Sequence, residues 1–188
     1  MIHVSSLSGL PGLAASLRRY DLLTLLSPSA ASRDWGGFAR ERHVQLSFHD
    51  IVELKPDMVA PDADVMLDIL EFGRGAVEDR ALLIHCWAGI SRSSAAAYAI
   101  ACDRNPGYEA EIADELRRRS PYVTPNRLMV KLADGMLGRD GRMSEAIARI
   151  ALTRLGSVQP RPAPFYLRGA DAAPPSDPPP VILDLAAS

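Results

Sequence analysis

Two residues that could do chemistry flank a short turn near the middle of the chain. Cys86 carries a thiol, a potential nucleophile, and Arg92 follows it with five residues between. Residues 81–84, just before the turn, form an apolar run of strand length, and an alanine-rich helix is predicted from residue 93. A strand that leads through a glycine-containing loop into a helix start directs backbone N–H groups and the positive end of a helix dipole into one concavity. The pattern therefore predicts an anion-binding loop.

The two flanking side chains predict a nucleophile and an oxyanion clamp in the same loop. A thiol beside N–H donors, a helix N-terminus and a guanidinium is favoured as the thiolate at neutral pH. The guanidinium of Arg92 offers a planar fork of donors that matches two oxygens of a phosphate group. The competing interpretation is a structural Cys86 buried at a strand end, with Arg92 on the surface.

The segment His85-Cys86, five residues, then Arg92-Ser93 resembles the His-Cys-x5-Arg-Ser/Thr signature of the cysteine-dependent protein tyrosine phosphatases, most closely their small dual-specificity branch. The resemblance implies a phosphocysteine intermediate on Cys86 and needs neither a metal nor a cofactor. It implies that Ser93 assists the departing thiolate and that His85 orders the loop. The loop residues that would hold the phosphate, together with Arg92, are Trp87, Ala88, Gly89, Ile90 and Ser91.

The leaving group needs a proton, and the resemblance implies an Asp at the end of a strand a few tens of residues before the cysteine. Asp50 fits best, because it follows a predicted strand at residues 43–48 and so lies at the sheet edge where the cysteine also sits. Asp57 is the second choice and Glu53 a poor third. The histidines at both ends of this strand, His43 and His49, are interpreted as surface residues.

A second, weaker match lies further along the chain. An arginine-rich helix at residues 109–119, a turn containing proline, Pro125-Asn126 and another helix resemble the C-terminal part of dual-specificity phosphatases. This match implies that Asn126 supports the loop from the following helix.

The interior of the loop carries no Lys or Arg. Family members that act on inositol phosphates often place basic residues there, so the sequence favours a phosphoprotein or small phosphomonoester substrate and a protein tyrosine or dual-specificity phosphatase. Three alternatives stay open: a phosphoinositide or inositol phosphate phosphatase of the same fold, a catalytically silent phosphate-binding module, and sulfur transfer of the rhodanese type.

Composition narrows the class of protein further. The 188 residues are 47% hydrophobic with a formal net charge of −2, which argues against a nucleic-acid binder or a polybasic membrane anchor. No apolar run reaches membrane-spanning length, and two cysteines do not make a disulfide framework. We therefore expect a cytoplasmic protein without membrane insertion, with Cys102 in the core. The four histidines show no metal-ligand spacing with the cysteines.

The order of elements predicts a single α/β domain at residues 1–155. A central, mostly parallel sheet of four or five strands should carry helices on both faces. Eight of the fifteen prolines lie between residues 160 and 180, so residues 156–188 are predicted to form a disordered, Pro-rich tail. Its apolar residues 181–185 are a candidate docking segment for an unknown partner, although a solvated terminus is the preferred interpretation.

Overall fold

The computed structural model describes residues 1–30, 34–35, 37–38, 40–152 and 181–183. The strands are β1 (Ile2–Ser5), β2 (Tyr20–Leu26), β3 (Arg42–Ser47), β4 (Ala81–His85) and β5 (Val181–Leu183). The helices are α1 (Leu10–Ser16), α2 (Ala63–Arg74), α3 (Arg92–Arg104), α4 (Glu109–Arg119), α5 (Arg127–Met136) and α6 (Arg142–Leu152), with a 3-10 turn at Pro28–Ala30.

The five strands form one sheet in the order β3-β2-β4-β1-β5. β1, β2, β3 and β4 are parallel to their neighbours, and β5 pairs antiparallel with β1 at the edge. The predicted α/β fold with a mostly parallel sheet is confirmed. β4 lies between β1 and β2, so the loop that follows it opens at the centre of the carboxyl edge, where open parallel sheets bind ligands.

Alternating residues of the strands face two separate cores. Leu23, Leu25, Leu82 and Ile84 point into the larger core, which α2 to α6 complete. Leu22, Leu26 and Leu83 point to the other side, against α1 and Trp35. Because both faces are covered by apolar side chains, the central strands are nearly continuous apolar runs, as parallel strands usually are.

Carboxylate and amide side chains fix three helix starts. Asp62 accepts a hydrogen bond from the N–H of Val65 at the start of α2. Asn126 does the same for the first turn of α5, and the buried Asp134 accepts from Gly141 and Ser144 at the start of α6. Each bond satisfies an N–H group that lacks a helical partner.

The sequence-based boundaries differ from the structure at several element ends. α2 ends at Arg74 rather than near residue 78, because the chain turns at Gly75. Residues 181–183, assigned by sequence to the tail, form β5 on the edge of the sheet. The rest of the predicted tail, residues 156–180 and 184–188, lies outside the described residues, so the domain boundary at residue 155 stays a prediction.

No helix in the described part of the chain is both long enough and apolar enough to cross a membrane.

Candidate active site

The loop between β4 and α3 turns at a glycine that no other residue could easily replace. Gly89 has φ of +75°, and a Cβ atom there would lie 2.7 Å from the backbone nitrogen of Ser6. Both the left-handed conformation and the close approach of the β1–α1 segment favour glycine. The loop is therefore held tightly against the end of β1.

The Cys86 thiol lies at the bottom of the loop. Cys86 is only 2% exposed. Its Sγ lies 3.1 Å from the Oγ of Ser93 and accepts a hydrogen bond from the N–H of Gly89 at 3.2 Å. The thiol also lies at the N-terminal end of α3, which begins at Arg92. Hydrogen-bond donors and a helix N-terminus both stabilise negative charge on sulfur.

Four backbone N–H groups of the loop have no partner in the part of the chain that the structure describes. Among the described residues, those of Trp87, Ala88, Ile90 and Ser91 donate to no carbonyl or side chain. Unpaired donors on successive residues of a loop that curls around a thiol form an anion-binding concavity. The carbonyl groups of the loop, by contrast, bond outward: Trp87 O accepts from Leu7, and Ile90 O accepts from Thr124.

The side chain of Arg92 is anchored along one edge and open along the other. It is 4% exposed, and its Nη1 donates to the carbonyl of Phe48 at 2.8 Å and to Ser27 Oγ at 3.3 Å. Its buried Nε has no hydrogen-bond partner among the described residues. A buried donor without a partner is costly, so the open Nε edge is suited to an oxyanion.

The carboxylate of Asp50 lies beside this edge. Its Oδ1 accepts from Ser91 Oγ at 2.7 Å and from Asn126 Nδ2 at 2.8 Å, while Oδ2 lies 4.0 Å from Arg92 Nε. Because Oδ1 is occupied by two donors, Oδ2 is the oxygen left to exchange a proton. Asp57 and Glu53 are both exposed and, among the described residues, neither bonds to the loop.

Asn126 connects three elements around the site. Besides Asp50, its Nδ2 donates to the carbonyl of Ile51, its Oδ1 caps α5, and its N–H donates to Ser91 O at 3.3 Å. One buried residue therefore links the loop after β4, the segment that begins at Asp50 and the start of α5.

A residue that sequence reasoning missed lies directly under the loop. Thr24 of β2 is fully buried, and its Oγ1 is 2.8 Å from Nε2 of His85 and 2.9 Å from Nε2 of His43. His43 was expected on the surface; it is instead half-buried beneath Trp35, because β3 continues the sheet next to β2. The one signal in the sequence was a polar residue between the leucines at residues 22–23 and 25–26.

His49 was also expected on the surface, and it is only partly exposed. Its Nδ1 accepts the N–H of Val59 at 2.9 Å, and its own N–H donates to Val59 O at 2.7 Å. These two bonds close the base of the segment that begins with Asp50.

Cys102 lies in the core, fully buried on α3, and burial raises the pKa of its thiol to about 12. It is ten residues beyond Arg92, about 15 Å along the helix, so it cannot reach Cys86. No group of His, Cys, Asp or Glu side chains within the described ranges is arranged to hold a metal ion.

Comparison with solved structures identifies the fold, whereas comparison of sequences finds no relative. No family model and no curated protein matches the sequence. The human tyrosine phosphatase-like serine/threonine/tyrosine-interacting protein aligns with a TM-score of 0.57 at 17% identity, over 74% of this chain and 92% of that chain. Tk-PTP in its active form aligns at 0.52 and 19% identity, over 73% and 92% of the two chains. PTPMT1 in complex with PI(5)P aligns at 0.52 and 13%, over 81% and 94%.

The chain thus has the fold of the tyrosine and dual-specificity phosphatases. The resemblance inferred from residues 85–93 is confirmed at the level of the fold. The roles of the individual site residues stay predictions.

Proposed function

We propose that this protein hydrolyses phosphoric monoesters through a phosphocysteine intermediate on Cys86, as a tyrosine or dual-specificity phosphatase. The observation that carries the proposal is the buried thiol of Cys86 inside a loop whose N–H groups at four positions, together with the Nε of Arg92, have no hydrogen-bond partner among the described residues. Nucleophile and preorganised oxyanion donors together are what phosphoryl transfer to sulfur requires.

In the first step, the Cys86 thiolate attacks phosphorus and the P–O bond to the leaving group breaks. The loop N–H groups and Arg92 hold the non-bridging oxygens, and Asp50 gives its proton to the leaving oxygen.

In the second step, water attacks the phosphocysteine and inorganic phosphate leaves. Asp50, now ionised, takes a proton from the water, and the S–P bond breaks to return the thiolate. Ser93, 3.1 Å from Sγ, donates a hydrogen bond to the departing sulfur.

The rim of the loop favours a substrate with one phosphate on an apolar or aromatic group. Trp87, next to the nucleophile, is 59% exposed, and the segment after Asp50 exposes Val52 and Leu54. No cation stands inside the loop except Arg92. These features support phosphotyrosine in a protein over a phosphoinositide, whose additional phosphates need additional positive charge.

The test of the chemistry compares wild type with Cys86→Ser on para-nitrophenyl phosphate. We expect turnover and a trapped phosphocysteine, detected by mass spectrometry, in wild type and neither in the variant. If wild type and Cys86→Ser bind a phosphopeptide equally and neither releases phosphate, the protein is a silent binding module. Thiosulfate turnover without phosphate release would instead indicate sulfur transfer.

The role of Asp50 is tested with leaving groups of different quality. Asp50→Asn should lower turnover of phenyl phosphate about 100-fold or more, because phenolate needs the proton, and lower that of para-nitrophenyl phosphate much less. Asp57→Asn is the matched control and should change neither rate. Equal loss on both substrates would contradict the assignment.

The substrate class is tested with a panel of phosphotyrosine, phosphoserine and phosphothreonine peptides and phosphoinositides, with Cys86→Ser as the blank. We expect the highest kcat/KM on phosphotyrosine peptides. Faster hydrolysis of a phosphoinositide would overturn the substrate class while leaving the chemistry intact.

A further inference from the structure

A chain of three polar side chains, two fully buried and one half-buried, crosses the sheet directly below the nucleophile. His43 on β3, Thr24 on β2 and His85 on β4 lie on the same face of neighbouring strands. Thr24 and His85 are paired in register, and both are fully buried. The last of the three is the residue before Cys86, so the chain ends at the backbone that carries the thiol.

The hydroxyl group in the middle couples the two rings. Thr24 Oγ1 has one hydrogen, and its partners among the described residues are the two imidazole Nε2 atoms. A buried hydroxyl hydrogen without an acceptor is costly, so Thr24 donates to one ring and accepts from the other. The position of the hydrogen on one imidazole, at Nδ1 or at Nε2, therefore determines its position on the other imidazole.

A single indole covers both rings. The Trp35 ring centroid lies 5.1 Å from that of His85 and 6.0 Å from that of His43, and Trp35 is itself only 7% exposed. Burial lowers the pKa of His43, and the positive charge of Arg40 lowers it further. Both causes favour the neutral form of the ring. A neutral ring can serve as either donor or acceptor to Thr24, whereas an imidazolium can only donate.

We propose that Thr24 and His43 are positioning residues for the nucleophile: their hydrogen-bond chain fixes the orientation and tautomer of His85 and so the reactivity of Cys86. The effect rests on the phosphatase mechanism proposed above, but the reactivity of the thiol is measurable without it. Neither residue contacts the substrate site. Both act through His85, at which the chain meets the loop.

The experiment measures the rate of Cys86 alkylation by iodoacetamide against pH, alongside kcat/KM on para-nitrophenyl phosphate. Cys102 is buried and its pKa is raised to about 12, so it stays protonated and shielded at neutral pH, and Cys86→Ser supplies the blank for any reaction it contributes. Unfolding in urea confirms that each variant is folded under the assay conditions.

Thr24→Val keeps the branched shape and removes both hydrogen bonds. We expect it to lower kcat/KM about tenfold and to raise the pH of half-maximal alkylation by about half a pH unit, the scale of one lost buried hydrogen bond. Thr24→Ser retains the hydroxyl and should restore both readouts. His43→Phe keeps a ring beneath Trp35 and should act in the same direction with a smaller effect.

Coupling is tested by combining the two changes. Because the proposal sends both effects through one hydroxyl, Thr24→Val with His43→Phe should be no worse than Thr24→Val alone. An alkylation profile in Thr24→Val identical to that of wild type would overturn the proposal, as would a failure of Thr24→Ser to differ from Thr24→Val, or fully additive effects. If wild type lacks phosphatase activity, the proposed function fails, and the alkylation profiles still decide this inference.

Discussion

Strand β2 holds two buried polar networks, and they differ in kind. Near its amino end, the fully buried Asp21 lies between the guanidinium groups of Arg80, at 3.0 Å, and Arg42, at 3.3 Å. Three residues later, Thr24 lies between two imidazoles. Because successive side chains of a strand point to opposite faces of the sheet, residues three positions apart lie on opposite faces. The first network therefore lies on the side of α2 and the second on the side of α1.

The difference is that the first network serves stability, whereas the second can change the positions of its hydrogens. The Asp21 network is made of full charges at the sheet edge remote from the loop, so it ties β2, β3 and the approach to β4 together. The Thr24 network consists of a hydroxyl group and two imidazoles, which can rearrange their protons, and it ends beside Cys86. We expect changes to the first to lower stability and leave activity intact, and changes to the second to lower the reactivity of Cys86 with a smaller effect on stability.

The largest effect should come from Asp21→Asn. It leaves two guanidinium groups beside a neutral amide, and breaking such a buried pair costs about 3 kcal/mol. Urea denaturation should show the loss in the free energy of unfolding, while kcat per folded molecule and the alkylation profile of Cys86 stay at wild-type values. Asp79→Asn, at the exposed partner of Arg19, is the control and should change stability very little. A large drop in kcat for Asp21→Asn would contradict the proposal that the Asp21 network affects stability and not activity.

A second prediction concerns the pH dependence that His43 gives to the Thr24 network. Since the pKa of His43 is lowered in the folded state, the unfolded chain takes up this proton first as pH falls below about 6.5. This residue therefore makes wild type lose stability on acidification, and His43→Phe should reduce that slope. Urea unfolding at pH 5, 6 and 7 measures it; identical slopes in the two proteins would show that His43 is not held neutral.

The smallest effect is expected at a partly exposed cluster of Glu115, Arg118 and Arg119 on α4, which belongs to neither network. Hydrogen bonds from Arg118 and then Arg119 lower the pKa of Glu115 to about 2. Its stabilising contribution is present above the unfolded value of about 4.3 and is lost as pH falls towards 2. Glu115→Gln should cost less than about 1 kcal/mol at pH 7, where water screens the charges, and much less at pH 2, where the carboxyl is partly protonated in the folded state. A cost as large as that of Asp21→Asn would mean that burial is not what distinguishes the sites.

Much of the fold could be predicted because its signals are local. The apolar run before Cys86, the alanine-rich segment after it and the amphipathic residues 109–119 each determine their own conformation, and these elements lie where the sequence placed them. The ends of the elements were predicted less well. α2 ends at Arg74, just before Gly75, and β5 forms from residues that the sequence assigned to the tail. Both depend on contacts made by the folded chain.

The sequence by itself determined the loop: a strand, a glycine turn and a helix start place Cys86 and Arg92 together whatever surrounds them. Only the tertiary structure decided which distant groups reach that loop. Asp50 and Asn126 lie 76 residues apart and meet at 2.8 Å, and Thr24 joins two histidines that the sequence assigned to unrelated roles. The physical reason is that local patterns specify dihedral angles and burial, whereas side-chain partnerships follow from strand order and register, which form only when the sheet assembles.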